Sequence, residues 1–291
     1  MMTQTAFTLI NPQTKALAFK IFAFEDDTYF AGLKNQSFYS IILVTKGKGK
    51  IRVDFSEYLF DADCLMCFST YQPFMIKSEA EFNGVLINFH PDFFCIHKHQ
   101  HEVACNGVLF NNIYQSPVVH LSPQEAFTLL TIVNQLTTEV QHAAIAQYEL
   151  LVSYLKIFLI NASRVKFINQ VKTEFKIEKA PFILQTLKDA IEAYYKTKHS
   201  AGEYADMLNI STKALNRISK THFNKTLTNL IAERIIIEAK RELYLTEKPI
   251  KTIAHELGFS DEFYFSRYSK SNAEVSPQLY RNTVGFSREK A

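Results

Sequence analysis

Residues 203–220, EYADMLNISTKALNRISK, return about fifty places later as residues 252–270, TIAHELGFSDEFYFSRYSK. Ala205 matches Ala254, Leu208 matches Leu257 and Ser211 matches Ser260 at an offset of 49; Arg217 matches Arg267, Ser219 matches Ser269 and Lys220 matches Lys270 at an offset of 50. Each copy has the grammar of a helix-turn-helix. A short helix carrying a small residue (Ala205, Ala254) leads to a turn at Asn209 or Gly258, residue types that tolerate positive φ. An apolar residue (Ile210, Phe259) plugs the turn, and a serine (Ser211, Ser260) caps a second, polar helix. In that second helix Leu215 and Ile218, or Phe265 and Tyr268, have the spacing of a packed face. Lys213, Asn216, Arg217 and Lys220 are left on the other face of the first copy, and Glu262, Ser266, Arg267 and Lys270 on that of the second. These are side chains suited to a major groove: Arg forks onto guanine, Asn onto adenine, Glu accepts from cytosine and Lys neutralises phosphate. A solvated face on an ordinary helical pair is the competing account of either copy alone, and two copies in register weigh against it.

Between the copies lies TLTNLIAERIIIEAKRELYLTEKPI, long enough for a helix from about Leu227 to Leu245, ~28 Å at 1.5 Å per residue. A spacer of that length suits two recognition helices held about one DNA turn, ~34 Å, apart. From Phe182 onward the pattern is helical throughout. Residues 164–181 are charged, lack a strong apolar face and end in Pro181, as an interdomain linker would.

The first ~115 residues read differently. Phe38–Val44 is a β-branched and aromatic run, followed by a turn on Gly47 and Gly49 and alternating Ile51, Val53 and Phe55. DCLMCFSTYQPFMI and FNGVLINFH continue the pattern, with turn signals at Asp61–Asp63, Gln72–Pro73 and Asn83–Gly84. Short strands without intervening helices predict an antiparallel barrel or sandwich. Two helices follow. Ser122, Pro123 and Glu125 form a capping-box start, and Leu129, Val133, Leu136 and Val140 make an a/d-like seam. A second helix spans about Ala144 to Asn161. The seam either packs on the strands or pairs with its copy in a second chain.

The 291 residues suit two domains, and 47% apolar with 21% charged residues is a globular composition. No apolar run reaches the ~18 residues of a membrane span, a secretory signal is not expected because MMTQTAFTLINPQTKALAF lacks a basic start followed by an unbroken apolar core, and four cysteines are too few for a disulfide scaffold. The net charge of +3 is unevenly placed: residues 1–181 carry 15 Lys and Arg against 16 Asp and Glu, and residues 182–291 carry 17 against 13. A polyanion would meet the last third.

The segment from about Phe182 to Arg281 resembles the DNA-binding domain of the AraC family of bacterial transcription regulators, through IAHELGF, YFSR and SPQLYR together with the connecting helix. Two departures are local: Ser219 and Ser269 stand where the family usually has an aromatic, and Asn224 and Glu274 stand where it usually has Gly. The resemblance implies base contacts at Lys213, Asn216 and Arg217 and at Glu262, Phe263, Ser266 and Arg267, with Phe263 touching a thymine methyl. It also implies a cupin-like N-terminal barrel that senses a small molecule and dimerises. The expected organisation is therefore an effector-binding and dimerisation domain over residues 1–163, a linker over 164–181 and an all-α DNA-binding domain over 182–291. The expected protein is a cytoplasmic, dimeric regulator or activator of transcription and not an enzyme, bound to double-stranded DNA through the major groove, with no cofactor and no membrane, and with RNA polymerase a further candidate partner.

The aromatics Tyr39, Phe55, Phe68, Tyr71 and Phe89 suit an apolar or aromatic effector, and they suit a plain core equally. A cupin metal site is not expected, because NQSFYSIILV and STYQPFMI lack the histidines it needs. HPDFFCIHKHQHEVAC (90–105) is the stranger stretch: His97, His99 and His101 would share one face of a strand or crowd unevenly on a helix, and with His90, Cys95, Cys105 and Glu102 they raise, against a plain surface segment, the alternative of a metal- or redox-responsive barrel protein, an enzyme among the options, with a DNA-binding appendage. Cys64 and Cys67 form C-x-x-C, but three apart on a strand they point to opposite faces and read as core.

Overall fold

A computed structural model describes residues 6–11, 14–103, 105–142, 144–176 and 182–284. Its described residues divide into two compact units, one within residues 1–53, 57–112 and 116–172 and the other within residues 54–56, 113–115 and 173–284.

The first unit opens with β1 (Phe7–Ile10), β2 (Leu17–Phe24), β3 (Tyr39–Lys46), β4 (Gly49–Val53), β5 (Ser56–Phe60), β6 (Cys64–Phe68), β7 (Phe74–Ser78) and β8 (Asn83–Phe89). A single helical turn, α1 (Gln100–Val103), and a short strand, β9 (Val118–His120), precede α2 (Pro123–Gln141) and α3 (Gln147–Lys176). The strands form two sheets, one in the order β1-β2-β8-β3-β6-β9 and one in the order β5-β4-β7. The ladders of the larger sheet are antiparallel.

Side-chain parity explains the layering. In β3, Tyr39, Ile41 and Leu43 point to one face and join Leu65, Cys67, Ile87 and Phe89 in a core shared with α2 and α3. Ile42 and Val44 point to the other and join Met66, Leu86, Ile51, Phe60 and Ile76 in a core between the two sheets. Both faces of β3 and β6 are thus covered, which is why neither strand alternates apolar with polar. Among the described residues the hydrogen bonding does not run from one sheet into the other, so the cupin-like barrel implied by the resemblance is not closed, and of the barrel or sandwich that the strand pattern allows the two sheets form the sandwich. Strand signals are local; closure depends on pairing between strands distant in sequence, which they do not carry.

The turn at Gly47 has φ +111°, a region open to glycine. Asn83–Gly84, expected as a turn, opens β8: a Cβ on Gly84 would lie 2.2 Å from the Leu43 carbonyl oxygen, so its glycine permits close strand approach. Cys64 and Cys67 do fall on opposite faces of β6, in the two different cores, and burial pushes each thiol up to about 12.

α2 begins with the capping box anticipated at Ser122 and Glu125, with Pro123 in its first turn. Leu129, Val133, Leu136 and Val140 are all buried in the helix–sheet core, so the seam is used within the chain rather than kept for a second copy. α3 runs on through residues 164–176 of the stretch expected as linker; residues 177–181 lie outside the described residues. No described helix is long and apolar enough to cross a membrane.

The second unit is helical: α4 (Phe182–Tyr194), α5 (Ala201–Met207), α6 (Thr212–Phe223), α7 (Leu227–Leu245), α8 (Ile250–Glu256), α9 (Glu262–Ala273) and α10 (Pro277–Thr283). α7 has the bounds anticipated for the spacer and packs against each of the other six.

Leu136 is fully buried. Leu136→Ala is expected to cost about 2–5 kcal/mol, read from urea unfolding of the full chain, with a midpoint independent of protein concentration. A concentration-dependent midpoint in the wild type, lost in the variant, would return the seam to an interface between chains.

Candidate nucleic-acid interface

The two helix-turn-helix units are α5–α6 and α8–α9. In each, the small residue of the first helix is buried (Ala205, Ala254) and the turn residue has positive φ, 54° at Asn209 and 83° at Gly258. A Cβ on Gly258 would lie 2.1 Å from the Lys196 carbonyl oxygen, so this turn takes glycine on space as well as on φ. Phe259 plugs its turn among the rings of Tyr264, Phe265 and Tyr268, while Ile210 is half-buried.

Ser211 caps α6, its hydroxyl accepting the Ala214 N–H at 3.3 Å. The second copy departs from expectation: Asp261, not Ser260, caps α9, accepting the Tyr264 N–H at 2.7 Å. The offset steps from 49 to 50 in this turn, so Ser260 is the inserted residue and Asp261 the counterpart of Ser211. That bond, first among several, holds the Asp261 carboxyl below its ordinary value.

From here the register of fifty holds further than the sequence match suggested. Ser219 and Ser269, the two departures from the family's aromatic, are buried and donate to the carbonyl oxygens of Lys225 and Val275 at 2.7 and 2.8 Å. Asn224 and Glu274 both end their helices in the left-handed region, φ 58° and 55°, where a glycine is usual. Thr226 and Ser276 then cap α7 and α10 through the N–H groups of Asn229 and Leu279.

Lys213, Arg217 and Lys220 are exposed along one face of α6, and Phe263, Arg267 and Lys270 along the matching face of α9. Glu262 and Ser266 are half-buried beside them. Phe263 is 69% exposed, an unusual position for a ring with no packing role. Among the described residues none of the five cations makes an ion pair.

Asn216 has a duty that sequence reading missed: its Oδ1 accepts the Leu227 N–H at 3.1 Å, satisfying a donor in the first turn of α7. The repeat carries the reason. Fifty residues on, Leu227 becomes Pro277, which has no N–H, and Asn216 becomes Ser266. Comparing the two positions jointly would have exposed the bond.

Of the other anticipated residues, all but Phe55 fall in the first unit. Tyr39 and Phe89 stack at 5.1 Å in the helix–sheet core, whereas Phe68 stacks on Phe74 at 4.1 Å between the sheets. Phe55 lies between β4 and β5, 54% exposed, and Tyr71 is half-buried in a loop at φ 51°. The five do not converge on one pocket. His97, His99 and His101 lie in turns and in α1 rather than on a strand, and no described group of three or more His, Cys, Asp or Glu could hold a metal ion.

Asn216→Ala is expected to lower the unfolding free energy by about 1–2 kcal/mol and Ser266→Ala by a few tenths, measured by urea titration. Asp261 contributes stability above the ordinary carboxyl value of 3.8, and loses it as the pH falls through the depressed folded value. Thermal midpoints of wild type and Asp261→Ala should therefore converge in acid, with Ser260→Ala, which loses only the 3.4 Å bond from its hydroxyl to the Asp261 carboxylate, staying far closer to wild type than Asp261→Ala at neutral pH.

Comparison with known proteins agrees with this geometry. Residues 204–283 match a family model described as "Helix-turn-helix domain". The raffinose operon transcriptional regulatory protein RafR of Pediococcus pentosaceus is 26% identical over 172 residues, 59% of this chain and 58% of RafR, so the chain spans less than two thirds of that relative. Regulatory protein SoxS of Salmonella typhimurium is 31% identical over 102 residues, 35% of this chain but 95% of SoxS. Among solved structures, ToxT of Vibrio cholerae aligns over 92% of this chain and 99% of its own, at 16% identity and a TM-score of 0.41. With 95% of that regulatory protein matched at 31% identity, and with the family model falling on residues 204–283, which hold both helix-turn-helix units, the chain belongs to the AraC family of transcription regulators.

Proposed function

We propose that the protein is a sequence-specific DNA-binding regulator of transcription in which α6 and α9 enter two successive major-groove segments. The observation that carries this reading is the duplicated unit itself: caps, turns, buried serines and exposed cations recur at one register, with a 19-residue helix between. Arg217 and Arg267 hold matching positions and are the residues assigned to guanine edges; Lys220 and Lys270 are assigned to phosphates, and Lys213, Glu262, Phe263 and Ser266 to flanking base contacts. Asn216 is a poorer adenine reader than its type suggests, since a bidentate contact needs the Oδ1 already given to Leu227. The first unit is assigned to a small-molecule effector, and a second copy of the chain and RNA polymerase are the macromolecular partners in the bacterial cytoplasm. No catalytic step belongs to this reading.

Selection of bound sites from a random DNA pool with the full-length protein should enrich two half-elements about one helical turn, ~34 Å, apart. Arg217→Ala and Arg267→Ala should each cost about 1–3 kcal/mol at one base position, in different half-elements. Lys220→Ala and Lys270→Ala should weaken all sequences alike and make the salt slope shallower by about one each. Salt-sensitive binding with no enriched motif would overturn the reading.

A further inference from the structure

A polar row crosses the face of the larger sheet that looks toward β4, β5 and β7. Lys20 in β2 stands opposite Asn88 in β8, and Asn88 stands opposite Ser40 in β3. Directly opposed residues share a face, and the next row along these strands, Phe22, Leu86 and Ile42, belongs to the core between the sheets. Ser40 and Asn88 are each 3% exposed, and the Asn88 Oδ1 is buried without a hydrogen-bond partner among the described residues. A buried amide in that state is costly, and native structures rarely keep one without a use.

Two ammonium groups gather about the Tyr29 ring, one of them from the row itself. The Lys20 ammonium lies 4.7 Å from the centre of the Phe22 ring and 5.5 Å from that of Tyr29; the Lys34 ammonium lies 4.3 Å from the centre of the same Tyr29 ring. Both lysines are half-buried, and neither makes an ion pair among the described residues. Partial burial, and then the neighbouring Lys34, hold Lys20 below its ordinary value, as expected of like charges gathered without a counter-ion. An aromatic face eases each charge but does not neutralise the pair.

We propose that the effector of this protein is a small organic anion, a carboxylate or phosphate that also carries a hydroxyl or N–H, bound with its charge between Lys20 and Lys34 and its donor on the Asn88 Oδ1. The Ser40 hydroxyl stands beside Asn88 on the row to take a further bond. The apolar row of Phe22 and Leu86 bounds the site on its inner side. This inference rests on the first unit being the effector-binding unit.

Thermal unfolding of the full-length chain tests it, in sodium phosphate and in sodium gluconate, each against sodium chloride at equal ionic strength. At about ten times its dissociation constant, a ligand of the folded state raises the midpoint by ~2–4 °C. The expected result is such a rise in at least one of the two salts for the wild type and its loss in Lys20→Gln/Lys34→Gln. Lys34→Gln alone, whose residue lies outside the named strands, serves if the double variant does not fold, and should remove at least half of the rise. No rise beyond chloride in the wild type, or the same rise in the variants, overturns the proposal. The variants should bind pool-selected DNA in chloride as the wild type does, so a failed anion test leaves the DNA-binding reading standing, while a failed site selection leaves the lysine dependence to be read on its own.

Discussion

The second unit depends on the burial of one helix. Leu227, Leu230, Ile231, Ile235, Ile236, Ala239 and Leu243 are buried around most of the circumference of α7, so that helix has almost no solvent face of its own. The other helices of the unit pack on it, and the ties are polar as well as apolar. Arg234 of α7 reaches Glu192 of α4 at 2.7 Å and lies 3.8 Å from the centre of the Tyr195 ring. Within α7, Glu238 is held by Arg234 and Arg241. A helix enclosed in this way cannot roll or slide without breaking several contacts at once, and α6 and α9, which both pack on it, inherit that rigidity.

The joints at the end of each recognition helix show how the two copies reach one geometry with different residues. A helix must end, the chain must reverse, and the next helix must begin within a few residues. A buried serine donating to a carbonyl six residues on, a residue in the left-handed region, and a Ser or Thr cap accomplish this in both copies. Filling the serine position with an aromatic ring would close the joint by volume; here it is closed by a hydrogen bond, which fixes direction as well as distance. Glu274 is the costly member, since a residue with a Cβ is strained at φ 55° by comparison with glycine, and Asn224 bears the same conformation more easily.

The sequence made the second unit legible because its signals are local and stated twice: caps, turn residues and helical spacing each act within a few residues, and the repeat tells signal from coincidence. Two details escaped for physical reasons. The cap at Asp261 was hidden by a one-residue insertion, which leaves Ser260 aligned by identity while Asp261 occupies the position. Asn216 was read by its chemistry toward DNA, although the same chemistry serves a backbone N–H eleven residues away. In the first unit the strands were legible and their partnership was not. Tyr39 and Phe68 look alike as strand aromatics, yet they belong to opposite faces because Ser40, not Tyr39, stands opposite Phe68. That fact is one of register, and register is fixed by pairing across the sheet. The helix extending through 164–176 was missed because charged residues there lack a clean apolar stripe, and charged straight-chain residues favour helix nonetheless.

Specificity in a duplicated reader follows from where the copies differ rather than where they agree. Arg217 and Arg267 recur, as do Lys220 and Lys270, so under the proposed reading these pairs would give both helix-turn-helix copies the same guanine preference and the same hold on phosphate. The remaining positions of the two faces are Thr212, Lys213 and Asn216 in one unit and Glu262, Phe263 and Ser266 in the other. The first copy adds a further cation, Lys213, to its face; the second sets the bare ring of Phe263 in its place and a carboxylate, Glu262, where the first has Thr212. An aromatic ring 69% exposed costs solubility and stability unless something covers it, and a thymine methyl is the one apolar group a major groove offers. On the proposed reading the second copy therefore exchanges phosphate attraction for base discrimination, and its half-element should be the less tolerant of substitution of the two.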